Sequence, residues 1–471
     1  MSDGVLIKGA RLLSFPGGLG EETDVLVREG VVTRIGKGLE GAEVLDARGM
    51  VLSPGLIDMH AHLREPGMEY KEDVGSGSRA AVKGGYSAVF CMPNTEPAID
   101  NSSVAEYVFD LWVGEGLCIV LPHGAVTQGR GGTALAPMGE MGSCRAGVMG
   151  FSDDGSPVAD PEIMRRAMEY ARTMGALIIS HSEEKRLTAD GQINEGYYST
   201  FLGLRGMPPE AEEIAVYRDI CLAGKTGARL HLAHLSTARS LELVRDAKRR
   251  GLAVTCEVTP HHFSLDDSLL VSYDARYKMN PPLRGKDDVN ALLEALADGT
   301  VDVIATDHAP HASHEKETEF DAAEFGVVGL ETALGVAITR LVDGGVLSLE
   351  EVLRKMTEVP ARIMGMERRG YSATIRKGTQ ANLVLIDPET EWTVDPSRFE
   401  SRSKCTPFAG WKLKGRAVHV LFRGKIVMRE GELCETEVAP GAATSNVKSR
   451  SAGRTRKPVP QAAGAAGEAG R

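Results

Sequence analysis

Two histidines one residue apart, His60 and His62, carry the clearest chemical signal in this chain. Side chains alternate along a strand with period two, so both imidazoles fall on one face. Two imidazoles on one face are half of a divalent-metal site. Three further apolar runs end in residues of the same kind: Ile178-Ile179-Ser180-His181, Leu232-Ala233-His234 and Ala305-Thr306-Asp307. Another runs into Phe151-Ser152-Asp153-Asp154. A single histidine at a strand end is ordinarily a satisfied structural residue, but that reading accounts poorly for so many coincident endings. Four imidazoles with two or more carboxylates suit zinc or a similar divalent cation. Two such ions side by side need a bridging anion. A carboxylated lysine is one solution, yet no lysine lies between Lys83 and Lys185. The place falls to one aspartate of the Asp153-Asp154 pair, with the other orienting it. Strand period does not choose between them.

These residues need a scaffold that brings them together. Strand-like runs occur at residues 55–62, 86–92, 118–122, 147–153, 176–181, 229–234, 253–258 and 302–307. Helical patterns separate several of them. In one, Asp160 caps, Pro161 takes the first helical position, and Ile163, Ala167, Ala171 and Met174 recur at helical spacing before Gly175. Strands alternating with helices predict a parallel sheet, and eight such units predict a closed (β/α)8 barrel. An open doubly wound sheet is the alternative. Barrel enzymes carry their working residues at the C-terminal strand ends, where the histidines and aspartates lie. The two chain ends read differently. Short strand-like pieces at 5–10, 24–27, 31–35 and 43–46 resemble those at 381–386, 417–422 and 425–429. The expected division is therefore a barrel over 55–365, a small β-sandwich built from 1–54 and 366–435, and a basic tail over 436–471.

Composition bounds the rest. The chain has 471 residues, 42% hydrophobic and 25% charged, which excludes a mainly disordered protein. No apolar run approaches the roughly 18 residues of a membrane span. Met1-Ser2-Asp3-Gly4 lacks the basic and apolar segments of a signal peptide. Seven cysteines without a C-x-x-C pair read as reduced thiols, so a cytoplasmic location is expected. The formal charge is -11, although residues 440–471 hold six basic residues against one acid. An acidic body argues against nucleic-acid binding, and the Ala-, Gly- and Ser-rich tail is expected to be disordered.

The ordered motifs Asp58-Met59-His60-Ala61-His62-Leu63-Arg64-Glu65-Pro66-Gly67, Met92-Pro93-Asn94-Thr95, Phe151-Ser152-Asp153-Asp154-Gly155, His234-Leu235-Ser236-Thr237-Ala238, Glu257-Val258-Thr259-Pro260-His261-His262, Asn280-Pro281-Pro282-Leu283-Arg284 and Thr306-Asp307-His308-Ala309-Pro310-His311 resemble those of the bacterial long-chain dihydroorotases, in the amidohydrolase superfamily. The resemblance spans residues of about 5 to 430. It implies the same barrel and sandwich and a cyclic amide hydrolase. The reaction would be the reversible loss of water from N-carbamoyl-L-aspartate to give dihydroorotate, the third step of pyrimidine synthesis. It implies one or two zinc ions: His60, His62 and Asp307 on one, His181 and His234 on a second, and Asp154 bridging. A metal would turn water into hydroxide near neutral pH, and Asp307 would shuttle the proton. Dihydroorotate carries a carboxylate that related neutral rings lack. Arg64, two residues beyond His62, can grip it bidentately, and Asn94 can add a donor. The resemblance assigns His311 to the same carboxylate, and Asn280 with the Phe325-Gly326 backbone to the ring. Asn382 and Cys405 depart from the commoner Asp and Asn and touch no inferred ligand.

Two rivals follow. One is another cyclic amidohydrolase, a dihydropyrimidinase, hydantoinase or allantoinase; the dihydropyrimidinases typically use the bridging lysine absent here. The other is a catalytically dead subunit that scaffolds aspartate transcarbamoylase, which would have lost metal ligands. A complex with active transcarbamoylase, or a homo-oligomer, is compatible with an active enzyme. Among the remaining histidines, alternation places His231 opposite His234, away from the barrel axis, in a packing role. His261, His262 and His308 lie near the mouth, and His123, His314 and His419 have no argued part. The glycine-rich stretch 128–132 lacks the phosphate-loop lysine pattern and reads as a flexible loop.

Overall fold

The computed structural model describes residues 4–14, 17–41 and 43–435, so the basic tail lies outside the described residues. Eight parallel strands form the barrel: β1 (Leu56–Ala61), β2 (Tyr86–Cys91), β3 (Ile119–Pro122), β4 (Gly150–Phe151), β5 (Leu177–Ser180), β6 (Arg229–Leu232), β7 (Val254–Val258) and β8 (Val303–Ile304). They pair as two ladders, β1-β2-β3 and β4-β5-β6-β7-β8. Single parallel bridges close the ring, Gly124 with Phe151 and Ala61 with His308. The His62 N–H donates to the His308 carbonyl at 2.7 Å across the second seam. β4 and β8 are far shorter than the apolar runs 147–153 and 302–307 suggest. Beyond Phe151 and Ile304 the chain leaves the ladder to serve the mouth, and hydrophobicity alone does not register that departure.

Helices return the chain between strands. The helix Pro161–Met174 shows how sequence dictates one of them. Asp160 accepts from the N–H groups of Glu162 and Ile163, Pro161 supplies the first helical φ, and Gly175 closes at φ 67. Its buried stripe is Met164, Ala167, Met168 and Ala171, rotated slightly from the expected Ile163 to Met174 line. The glycine-rich 128–132 stretch is a short turn with a structural job. Gly129 N–H donates to Asp100 at 2.7 Å, and Arg130 reaches the Asp154 carbonyl at 2.7 Å.

Both chain ends contribute to one nine-stranded sheet. Its joint is the antiparallel pairing of Val51–Pro54 with Leu383–Thr393. Period two divides the second strand's side chains. Leu383 and Leu385 enter a core shared with Ile7, Val25 and Leu421, whereas Val384 and Ile386 pack into the barrel's core. The sheet is thus fastened to the barrel through alternate residues of one strand. No described helix is long and apolar enough to cross a membrane.

Candidate active site

The C-terminal strand ends bring His60, His62, Asp154, His181, His234 and Asp307 together, all buried. Asp154 is the centre of the group. Its Oδ1 lies 3.5 Å from His60 Nε2, 3.4 Å from His181 Nδ1 and 3.7 Å from His234 Nε2, and its Oδ2 lies 3.5 Å from His62 Nε2. Asp307 Oδ1 sits 3.1 Å from His62 Nε2 and 3.5 Å from His60 Nε2. Two triads, His60-Asp154-His234 and His60-His62-Asp307, each hold their ligand atoms within 4.8 Å of one another. His181 Nδ1 closes on His234 Nε2 at 2.9 Å.

Asp153 is turned elsewhere. It accepts from the N–H groups of Val126 and Thr127 at 2.8 and 3.1 Å, and from the Thr127 hydroxyl. The two aspartates of the pair are placed differently: one carboxylate pins the loop after β3, and the other faces four imidazoles.

Two observations test whether a cation suits this group. His60 Nε2 and Asp154 Oδ1 are buried without a hydrogen-bond partner, which is costly for strong polar atoms. Buried carboxylates also crowd the imidazoles. Burial opposes protonation of His60, yet Glu257, Asp154 and Asp307 raise it to about 10. Burial likewise opposes charge on Asp154, but His60, His181 and His234 hold its carboxyl well below the ordinary range. A nest that draws protons onto His60 and His181 also attracts a divalent cation, and imidazole with carboxylate is a suitable donor set. The site fits a metal.

The supporting residues are those that the sequence did not disclose. Glu257 on β7 accepts from His60 Nδ1 at 2.6 Å and lies 3.0 Å from His231 Nε2. His231 Nδ1 meets the Thr255 hydroxyl at 2.8 Å. His231 is thus not a packing residue facing away; it backs the carboxylate that orients His60. The alternation argument failed because β6 ends at Leu232 and His234 adopts φ 31, so period two does not extend to it. Glu183 takes His181 Nε2 at 2.9 Å. Asp58 ties β1 to the end of β8 by accepting from the N–H groups of His60 and Thr306, each at 3.1 Å. The available signal was the period-two partner: Thr255 and Glu257 share a strand face, and Asp58 shares one with His60 and His62. His262 spans the Thr259 hydroxyl and the Pro281 carbonyl, and His308 meets Glu72 at 3.4 Å.

A second group flanks the first. Arg64 is buried, with Nε donating to the Pro310 carbonyl at 3.1 Å and Nη2 3.3 Å from His311 Nε2. Asn94 has its amide oxygen 2.8 Å from His62 Nδ1, so it orients that imidazole while its NH2 remains a donor. Asn280 donates to Glu183 at 3.1 Å. The Phe325 carbonyl accepts from His311 at 2.8 Å, and Gly326 N–H donates to the Lys278 carbonyl at 3.1 Å. Gly326 has φ 134, and a Cβ there would approach the Ala309 carbonyl to 2.8 Å, so only glycine suits. Three non-glycine residues of the site are also left-handed: Arg64 at φ 62, His234 at 31 and Asp307 at 47. Strain of this kind, on the order of 1–3 kcal/mol each, persists where surrounding structure over-determines the backbone.

Comparison with known proteins agrees with this geometry. Residues 49–240 match the family model "Dihydro-orotase-like", and residues 222–428 match "Amidohydrolase family". The dihydroorotase of Geobacter sp. (strain M21) is 48% identical over 430 residues, covering 91% of this chain and 100% of that protein. The dihydroorotase of Pelotomaculum thermopropionicum is 49% identical over 428 residues, covering 90% and 99%. Among solved structures, the L-hydantoinase (dihydropyrimidinase) of Arthrobacter aurescens superposes with a TM-score of 0.81 at 26% identity, covering 92% of this chain and 98% of that one. The dihydropyrimidinase of Brevibacillus agri gives 0.78 at 25%, covering 91% and 95%. Sequence kinship over nine-tenths of the chain, on a barrel shared with the wider amidohydrolases, places this chain in the dihydroorotase family.

Proposed function

We propose that the chain interconverts N-carbamoyl-L-aspartate and (S)-dihydroorotate in pyrimidine synthesis, with a zinc centre held by His60, His62, Asp154, His181, His234 and Asp307. The observation that carries this is a juxtaposition. An acid-rich nest of four imidazoles around Asp154 lies beside a buried arginine whose Nη2 stands 3.3 Å from His311. When bound, a divalent cation lowers the pKa of water towards neutrality and polarises a carbonyl. The protein's own groups do the rest. Arg64 and His311 fix the carboxylate of the ring and thereby its orientation. Asn94 adds a donor through its free NH2. Asp307 Oδ1 is turned to the histidines, and its second oxygen takes a proton from the attacking water and delivers it to the leaving ring nitrogen. Cyclisation runs the same transfers backwards.

The supporting division of labour is a barrel over 55–365 that carries the chemistry and a sheet from 1–54 and 366–435 that braces it. The reading also places the enzyme in the cytoplasm. A homo-oligomer or a complex with aspartate transcarbamoylase would show in the mass of the particle in solution. The test of the activity is metal analysis paired with turnover of dihydroorotate against dihydrouracil. The expected result is metal-dependent turnover favouring dihydroorotate. A preference for dihydrouracil, or undiminished turnover after exhaustive chelation, overturns the reading.

A further inference from the structure

One carboxylate oxygen joins a metal-facing histidine to a residue far along the chain. Glu183 is buried in the loop after β5, two residues beyond His181. Its Oε2 lies 2.9 Å from His181 Nε2, 3.1 Å from Asn280 Nδ2 and 2.8 Å from the Lys185 ammonium. Its Oε1 takes the Thr188 hydroxyl. Lys185 and Thr188 bound a single helical turn, so the carboxylate is gripped by the turn that follows it. Glu183 is thus fixed by groups that are neither inferred metal ligands nor inferred substrate contacts.

An ionised carboxylate only accepts, and the ammonium beside it favours that form. The consequence for His181 is a hydrogen on Nε2, since Glu183 is the one partner of that nitrogen among the described residues. Nδ1 is left to face the nest, 2.9 Å from His234 Nε2 and 3.4 Å from Asp154 Oδ1. The consequence for Asn280 is the sense of its amide. The NH2 must face Glu183, and Oδ1, which has no partner among the described residues, stays an acceptor. Dihydroorotate carries ring N–H groups that such an oxygen complements. An apolar side chain of the same size would let His181 carry its hydrogen on either nitrogen and let Asn280 turn its amide over.

We propose that Glu183 is a positioning residue that serves metal binding and ring recognition with one oxygen: it directs His181 Nδ1 at the cation and holds Asn280 with its amide oxygen free for a ring N–H of the substrate. The second part rests on the function proposed above. The test is a double-mutant cycle on the full chain, Glu183→Ala against Asn280→Ala. Its readouts are metal affinity by chelator competition and KM for dihydroorotate at saturating metal. Glu183→Ala lowers metal affinity about 10- to 100-fold, whereas Asn280→Ala leaves it within about twofold. Each single variant raises KM about fivefold, the worth of one neutral hydrogen bond, and the double variant raises it no further than Asn280→Ala alone. A merely structural role would make the two KM effects multiply. Multiplying effects, or a metal affinity for Glu183→Ala within about twofold of the parent, overturns the proposal. Glu183→Gln keeps the size of the side chain but brings a donor to the same place. It changes both readouts in the same direction, and it replaces Glu183→Ala in the cycle if that variant does not fold. A parent that does not turn over dihydroorotate overturns the functional reading and the ring contact with it, while the metal affinity of Glu183→Ala still decides the role at His181.

Discussion

The two halves of the site are opposites in charge and in construction. The metal half is rich in acid. Asp154, Asp307 and Glu257 surround imidazoles that sit on or just beyond the ends of barrel strands. The recognition half is rich in base. Arg64, Lys71, Lys278 and Lys316 are buried there, and three of them rest on backbone carbonyls: Arg64 on Pro310, Lys278 on Phe320 and Asp321, and Lys316 on Lys278 and Glu324. The acidic half draws protons onto His60 and His181, whereas in the basic half Glu315 pairs with Lys71 at 2.9 Å and the other cations rest on backbone carbonyls. Under the proposed function the first half carries reactivity and the second selectivity, and separate substitutions should separate the two.

The largest effect should come from the metal half. Asp307→Asn should fold and bind its carboxylate ligand, yet lose turnover by about a thousandfold, the scale of general acid–base assistance. Far-ultraviolet circular dichroism and kcat for dihydroorotate check this. Turnover within tenfold of the parent would move the proton transfer to another group. In the recognition half, Arg64→Gln should act on KM instead, raising it by about 30- to 100-fold, since hydrogen bonds to charged groups contribute on the order of 2–3 kcal/mol. Equal changes in kcat would mean that the guanidinium belongs functionally to the metal half, and the contrast would dissolve.

Glu257→Gln tests the metal half from behind. It leaves every inferred ligand in place and weakens the partner of His60 Nδ1, 2.6 Å away, together with the His231 and His234 N–H contacts to the same carboxylate. Metal affinity measured by chelator competition should fall about 10- to 100-fold, the usual cost of losing an outer hydrogen bond to a ligating histidine. Unchanged affinity would show that the strand ends alone set the geometry of His60.

The same contrast explains what could be read from sequence. The clustered strand-end residues were legible because an apolar run that stops at His181, His234 or Asp307 marks both the strand and the end at which these side chains gather. The barrel followed from repetition of that unit. The residues behind the ligands were obscure, because Glu257 and His231 are polar groups within strands and signify nothing until their partners are known. His231 was misplaced by carrying strand alternation past Leu232, where the backbone turns left-handed at His234. The recognition half is made by segments far apart in the chain, with Lys71 after β1 meeting His311 after β8. No local period encodes such a meeting. Arg64 and Asn94 were read from their places just beyond strand ends, whereas Asn280 and His311 were reachable only through family resemblance; all four are engaged with neighbours, Arg64 with Pro310, Asn94 with His62, Asn280 with Glu183 and His311 with Phe325.

The smallest effect concerns the stability of the recognition half. Lys278 lies with its ammonium 4.6 Å from the centre of the Phe325 ring, held by two carbonyls. Burial, with the charge of Lys316 behind it, lowers its pKa to about 8. An unfolded lysine titrates near 10.4. Between those values the unfolded chain binds more protons than the folded one, so this group makes stability rise with pH from about 8 to 10. Below pH 8 both states are charged, and the folded state bears the full cost of burying the ammonium. Lys278→Met should remove that dependence. The difference in unfolding free energy between parent and variant should shift by about 1 kcal/mol in the parent's favour from pH 7.5 to pH 10, allowing for screening by water. Urea unfolding at the two pH values measures it, and common contributions from buried cysteines and tyrosines cancel in the difference. A constant difference would mean that the carbonyls and the aromatic face compensate the ammonium fully, so that the basic half is not strained before its ligand arrives.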